Sequence, residues 1–194
     1  WREAQFQGGF TLLRGYGIDK DREQALTWLR IAAENDHALA NYDLDTTLLE
    51  QHPPDYAGAM EHYLKSAELG HAYGYNKAGQ LYQHGLGVAQ SFHEAARLYE
   101  LSAEQKNEWG CFLLGMLHQA GRGVDQNDKR AFELFEEAAN QGLAEAKLEL
   151  GGMYGRGEGT GVNREVSADL YRQAAEAGSV SAMSNFGVRL LNGD

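Results

Sequence analysis

A pair of small residues returns along this chain at a nearly fixed interval. Ala32-Ala33, Ser66-Ala67, Ser102-Ala103, Ala138-Ala139 and Ala174-Ala175 place their second members 34, 36, 36 and 36 residues apart. Such a period reads as an array of like units stacked in series. Just upstream of each pair stand two further columns, Trp28, His62, Leu98, Leu134, Leu170 and Leu29, Tyr63, Tyr99, Phe135, Tyr171. Four of five members are apolar or aromatic in the first column and all five in the second. With the small pair they make a stripe at i, i+1, i+4 and i+5, the spacing of a buried helix face.

Composition agrees with a helical unit. Val, Ile and Thr together number thirteen, Ala, Leu, Glu and Gln abound, and the two Pro are adjacent at 53 and 54. That is helix-forming stock. Gly, at 24 of 194 residues, is enriched for such a chain and needs its own explanation.

The register supplies that explanation. Twelve residues before the second Ala stand Asp21, Asp55, Ser91, Asn127 and Asn163, all of the class whose side-chain oxygen accepts from the free N–H groups of a helix start. Each is predicted to open a helix of about 14 residues, helix B, with a small residue at Ala25, Ala59, Ala95, Ala131 or Ser167 where a neighbour can approach closely. Ser91 with Glu94 reads as a capping box, and Asp21 with Gln24 comes close. Before each cap except that of the second copy lies a Gly-x-Gly, at 15–17, 85–87, 121–123 and 157–159, read as a helix stop and a tight turn. The second copy has Gln51-His52-Pro53-Pro54 there and is two residues shorter. A further Gly recurs inside the preceding helix A, at Gly79, Gly115, Gly151 and Gly187. Since an interior helical Gly costs about 1 kcal/mol against Ala, its recurrence predicts close helix packing.

These residues resemble the Sel-1-like repeats, relatives of the tetratricopeptide repeat. The pattern A-x-x-x-L-G-x-x-Y-x-x-G-x-G-V followed by A-x-x-W/L-Y-x-x-A-A is met best from Gly74 to Ala139, and the resemblance covers the whole chain. Asp45 in place of the helix-A Gly and Thr160 in place of Val are the clearest departures. The resemblance implies an all-α fold, an α-α superhelix of stacked helix-turn-helix repeats. The expected copies are 1–36, 37–70, 71–106, 107–142 and 143–178, with 179–194 the first helix of a further one. That last helix would leave Phe186, Val188, Leu190 and Leu191 without their own helix B, so a longer array, or an oligomer through open solenoid ends, is expected. The chain opens on Trp1 rather than Met, which suggests processing or excision.

If the hairpins pack as the resemblance implies, helix A lines a concave face. The predicted partner-binding stripe is Phe6, Phe10, Tyr42, Tyr73, Asn76, Gln80, Trp109, Phe112 and Met116, with Leu13, Leu39 and Leu49 in the same columns. Aromatic and Met side chains are enriched at interfaces. The same side chains could instead fill gaps between neighbouring A helices. The expected occupant is a protein or peptide, of basic character since the chain carries 17 Lys and Arg against 28 Asp and Glu, a net charge of −11. That balance argues against nucleic acid, whose binding rests on cationic side chains, and no apolar run approaches the roughly 18 residues of a membrane span.

Candidate chemistry is sparse. The seven His, at 37, 52, 62, 71, 84, 93 and 118, form no H-x-x-x-H or H-E-x-x-H pair, so no metal and no cofactor is expected. His37 and His71 share a junction column and read as corner residues. Asp43, Asp45, Glu50 and His52 cluster in the second copy and read as a solvated acidic face rather than a cation site. The Gly-rich run 155–161 lacks the strand and the Gly-Lys-Ser/Thr of a phosphate loop and reads as a turn. Cys111 has no neighbouring His, and no Ser sits in a Gly-x-Ser-x-Gly elbow. The expectation is a non-catalytic interaction scaffold or adaptor. The resemblance implies roles such as bacterial regulator, host-interaction factor or toxin-immunity protein. A hydrolase, an activity the resemblance also allows, and a structural spacer are the alternatives.

Overall fold

The computed structural model describes residues 1–49 and 53–178, with side chains for all of these but 45–48. Ten α-helices and no strand occur among the described residues. The A helices are α1 (Arg2–Arg14), α3 (Ala38–Leu49), α5 (Tyr73–His84), α7 (Glu108–Ala120) and α9 (Ala144–Arg156). The B helices are α2 (Arg22–Glu34), α4 (Tyr56–Glu68), α6 (Phe92–Glu104), α8 (Asp128–Asn140) and α10 (Arg164–Glu176). The chain divides into two compact units, Trp1–Leu98 and Tyr99–Asp194. In the first, α1 to α5 pack on one another in chain order; in the second, α7 to α10 do the same. The further helix expected over 179–194, and Glu50, Gln51 and His52, lie outside the described residues. No described helix is long and apolar enough to cross a membrane.

Each B helix starts where its cap residue stands. The side chains of Asp21, Asp55, Ser91, Asn127 and Asn163 accept from the amides of Gln24, Gly58, Glu94, Arg130 and Val166 at 2.9 to 3.2 Å. The expected capping boxes are not closed. Glu94 directs its carboxylate to Arg97 at 2.9 Å. The amides of the cap residues turn backward instead: Asp21, Ser91, Asn127 and Asn163 donate to the carbonyls of Leu12, Tyr82, His118 and Tyr154, each nine residues earlier, at 2.9 to 3.2 Å. One backbone bond therefore latches the start of helix B to the end of helix A. A backbone carbonyl accepts from the amide that a capping box would have left to a side chain.

That latch needs the chain to reverse within a few residues. Gly15, Gly85, Gly121 and Gly157 end their helices in the left-handed region, as the Gly-x-Gly spacing predicts. A second left-handed column at the B-to-A corner escapes the sequence reading. It runs Asp36, Gly70, Lys106, Gly142, Gly178, with φ of 56° at both Asp36 and Lys106.

Helix A and helix B close on each other at small residues. A β-carbon on Gly9 would stand 3.1 Å from the Ala25 carbonyl oxygen, and one on Gly151 would stand 3.3 Å from that of Ser167. The buried stripe follows. Leu29, Tyr63, Tyr99, Phe135 and Tyr171 are all buried, and Leu98 and Leu134 with them. Trp28 departs from its column at 41% exposure, and His62 is half-buried.

Candidate functional site

In the first unit a cavity of about 440 Å³ is walled by side chains of three A helices and one corner. α1 supplies Phe6, Gln7 and Phe10, α3 supplies Leu39, Tyr42 and Asp43, and the α4–α5 corner with α5 supplies His71 and Tyr73. The 3.6-residue period puts Phe6 with Phe10, and Leu39 with Tyr42 and Asp43, on one side of their helices. The rings line it in two packed sets: Phe6 and Phe10 are 5.8 Å apart, while Tyr42 meets His71 edge-on at 5.0 Å and His71 lies 5.5 Å from Tyr73.

His37 sets the start of α3 against α1. Its Nδ1 accepts from the Ala40 amide at 3.2 Å, capping α3, while Nε2 lies 2.9 Å from the Glu3 carboxylate. Since the Ala40 amide must donate, Nδ1 carries no proton and Nε2–H donates to Glu3. The ring also stacks on Phe6 at 4.4 Å. Hydrogen bonds from Gln7 and then His37 hold the Glu3 carboxyl below its usual range.

The groove carries one acid in its lining. Asp43 is half-buried, and burial pushes its carboxyl up against the opposing pull of Arg14 and then His37. Burial pushes His71 down, so the imidazole in the wall is neutral near pH 7. Arg14 holds its guanidinium 5.5 Å above the centre of the Phe10 ring.

The predicted stripe divides. Phe6 is buried at the base, and Phe10, Tyr42 and Tyr73 form half-buried walls. Asn76 does not belong to an exposed stripe: it is 4% exposed and faces the interior. Gln80 is half-buried further along α5. In the second unit Trp109 and Phe112 meet edge-on at 5.8 Å, Phe112 leans on Phe135 at 5.7 Å, and Met116 is 38% exposed. Asp43, read from sequence as part of a solvated acidic face, stands in the groove wall. The Asp45 side chain, Glu50 and His52 lie outside what is described. Among the described residues no three His, Cys, Asp or Glu gather as a metal site would require.

Sequence reasoning missed the capping roles of the junction column. His37 and Asn107 both cap an A helix, the Asn107 side chain accepting from the Gly110 amide at 3.0 Å. The signal was available, since each follows the left-handed corner residue by one position.

A larger cavity of about 700 Å³ opens between α2 and α4. Its rim of Arg30, Glu34, Glu61, Lys65 and Glu68 mixes both charges, and Lys65 is paired to Asp36 at 3.0 Å. Below the rim lie Ala33, Leu44 and Leu64 with one polar pair, His62 Nδ1 lying 3.1 Å from Asn41 Oδ1. The aromatic groove differs in that its walls are mainly apolar rings with one acid, Asp43, in place. Cys111 is fully buried, and burial, then Glu137, push its thiol up to about 12, far from the thiolate a nucleophile needs. In the Gly-rich turn, Arg156 grips Glu158 through two hydrogen bonds of 2.7 Å and so does not present a free guanidinium to phosphate.

Comparison with known proteins matches the Sel1 repeat model at residues 2–37, 49–71, 72–107, 110–143 and 144–179. No curated protein matches the chain. Among solved structures, a Sel1 repeat protein from Oxalobacter formigenes is 27% identical, with a TM-score of 0.89 over 97% of this chain and 78% of that one. A protective antigen of uropathogenic Escherichia coli strains, displaying an SLR fold, is 29% identical, with a TM-score of 0.87 over 99% of this chain. The chain spans 42% of that antigen's length. An immunity protein from Pseudomonas aeruginosa shares the fold at 22% identity, with a TM-score of 0.62 over 93% of this chain and 66% of that one. The fold class is therefore all-α, the α-α superhelix class of stacked helix hairpins.

Proposed function

This chain belongs to the Sel1 repeat family, and from that premise we propose that it is a non-catalytic scaffold that binds a protein partner through the aromatic groove of α1, α3 and α5. Sel1 repeat proteins are in general interaction scaffolds. The observation that carries the finer reading is the pair of packed ring sets, Phe6 with Phe10 and Tyr42 with His71 and Tyr73, that together line a 440 Å³ opening. Rings held by their neighbours lose little entropy when a ligand covers them, which suits them to anchor a peptide or helix. The Trp109–Phe112 pair with Met116 is a second candidate contact surface, in the other unit. The net charge of −11 favours a basic partner. The P. aeruginosa immunity protein of the same fold suits a toxin-immunity role, and the E. coli protective antigen suits a host-interaction one. The thiol buried at Cys111 weighs against the hydrolase alternative.

Affinity capture followed by cross-linking mass spectrometry tests the proposal. The double substitution Tyr42→Ala and Tyr73→Ala should abolish capture of a specific partner while leaving the helical circular dichroism unchanged. A partner cross-linked only to B helices and retained by that variant would overturn it.

A further inference from the structure

Asp43 is out of keeping with its surroundings. It is the one acidic side chain in a lining that is otherwise aromatic and aliphatic but for Gln7, it is half-buried, and among the described residues no hydrogen bond or ion pair reaches its carboxylate. Withdrawing a carboxylate from water without a partner is costly, and a cation seated beside it offsets that cost. No neighbouring group pairs directly with it, although Arg14 and then His37 pull on it from a distance. Arg14 leans over Phe10, His37 is occupied by Glu3 and the Ala40 amide, and His71 is neutral.

We infer that this pocket is built to receive a cationic side chain of the partner, an arginine, with the guanidinium seated on the Asp43 carboxylate between the rings of Phe10, Tyr42 and Tyr73. The inference rests on the reading of the groove as a protein-binding surface and specifies what the groove selects. Guanidinium suits the site in two ways: its planar fork matches a carboxylate through paired N–H donors, and its face stacks on aromatic rings. The placement of Arg14 over Phe10 shows that the Phe10 ring accepts a guanidinium at cation–π distance. An apolar side chain entering the same space would cover Asp43 without neutralising it, so the pocket discriminates against the ligands that a purely aromatic groove would take.

The test uses the full chain and three blocked heptapeptides that differ at one central position, arginine, its uncharged isostere citrulline, or norleucine, followed by ¹H–¹⁵N spectra and titration. The arginine peptide should shift the amides of Leu39, Tyr42, Asp43 and Tyr73 and bind at least about tenfold more tightly than the citrulline peptide. Asp43→Asn should erase that preference, and Asp43→Glu should keep part of it. Equal binding of all three peptides in the groove would overturn the cation inference and leave the scaffold reading intact. Failure of all three to shift any groove amide would overturn the inference and count against the groove itself. The arginine and citrulline comparison on the unmodified chain decides the matter even if a variant folds poorly.

Discussion

Gly74 in α5 rests directly on the carbonyl oxygen of Tyr63 in α4, and the Ala67 amide nitrogen is 2.9 Å from where a β-carbon on Gly74 would stand. Both contacts are backbone, which cannot yield as a side-chain tip can. Gly74→Ala should therefore destabilise by about 3 kcal/mol, outweighing the roughly 1 kcal/mol that alanine gains in helix propensity. Gly8 in α1 has nothing within 4 Å of the same point. Gly8→Ala should stabilise by about 0.5–1 kcal/mol. Urea unfolding midpoints that move the same way in both variants would refute this account of the packing.

The left-handed corner column makes a second paired prediction. Lys106 adopts a φ of 56° that a β-carbon disfavours, and Gly142 holds the equivalent corner at 98°. Lys106→Gly should stabilise by about 0.5–1 kcal/mol, the relief of left-handed strain exceeding the added freedom of the unfolded chain. Gly142→Ala should cost more than about 1 kcal/mol. Thermal melts of the two single variants suffice.

Helix starts differ in burial and so in sensitivity. Asn163→Ala removes an exposed cap and should cost about 1 kcal/mol. Asn107 is 7% exposed and its bond to the Gly110 amide is buried, so Asn107→Ala should cost about 2 kcal/mol by leaving that donor dry. Equal losses by chemical denaturation would show that burial of the cap does not matter.

Asp43 sets a pH dependence. Burial raises its folded-state pKa above the ordinary carboxylate value, so the folded chain holds its proton more tightly than the unfolded chain. The resulting stabilisation is complete below the unfolded pKa and is lost as pH rises through the folded one. At pH 7, Asp43→Asn should raise stability, and the gain should vanish at low pH. A gain that persists unchanged into acid would refute the burial explanation.

Local order was the most legible part of the sequence. The five B-helix caps and the Gly-x-Gly stops could be read because one residue and its immediate neighbours decide each of them. The capping boxes failed for a reason outside that range: the cap amide found a carbonyl nine residues back, and Glu94 found Arg97. The candidate site was harder. Phe10, Tyr42 and Tyr73 were identified through their columns, yet Asn76 occupies the column of Tyr42 and is buried. A repeat column fixes the side of a helix but not how deeply its neighbours cover it. Asp43 was hidden because a lone acid near other acids reads as solvated surface until the rings of a different helix are known to surround it.

The bond that latches each cap amide to the preceding A helix spans only nine residues, at 12–21, 82–91, 118–127 and 154–163. Every such hairpin thereby completes its own closing contact before any distant part of the chain is needed. Low contact order of this kind favours rapid assembly from several independent starting points. It also means that copies can be duplicated or deleted during evolution with the reversal between helices intact, so recognition surfaces can be lengthened one hairpin at a time.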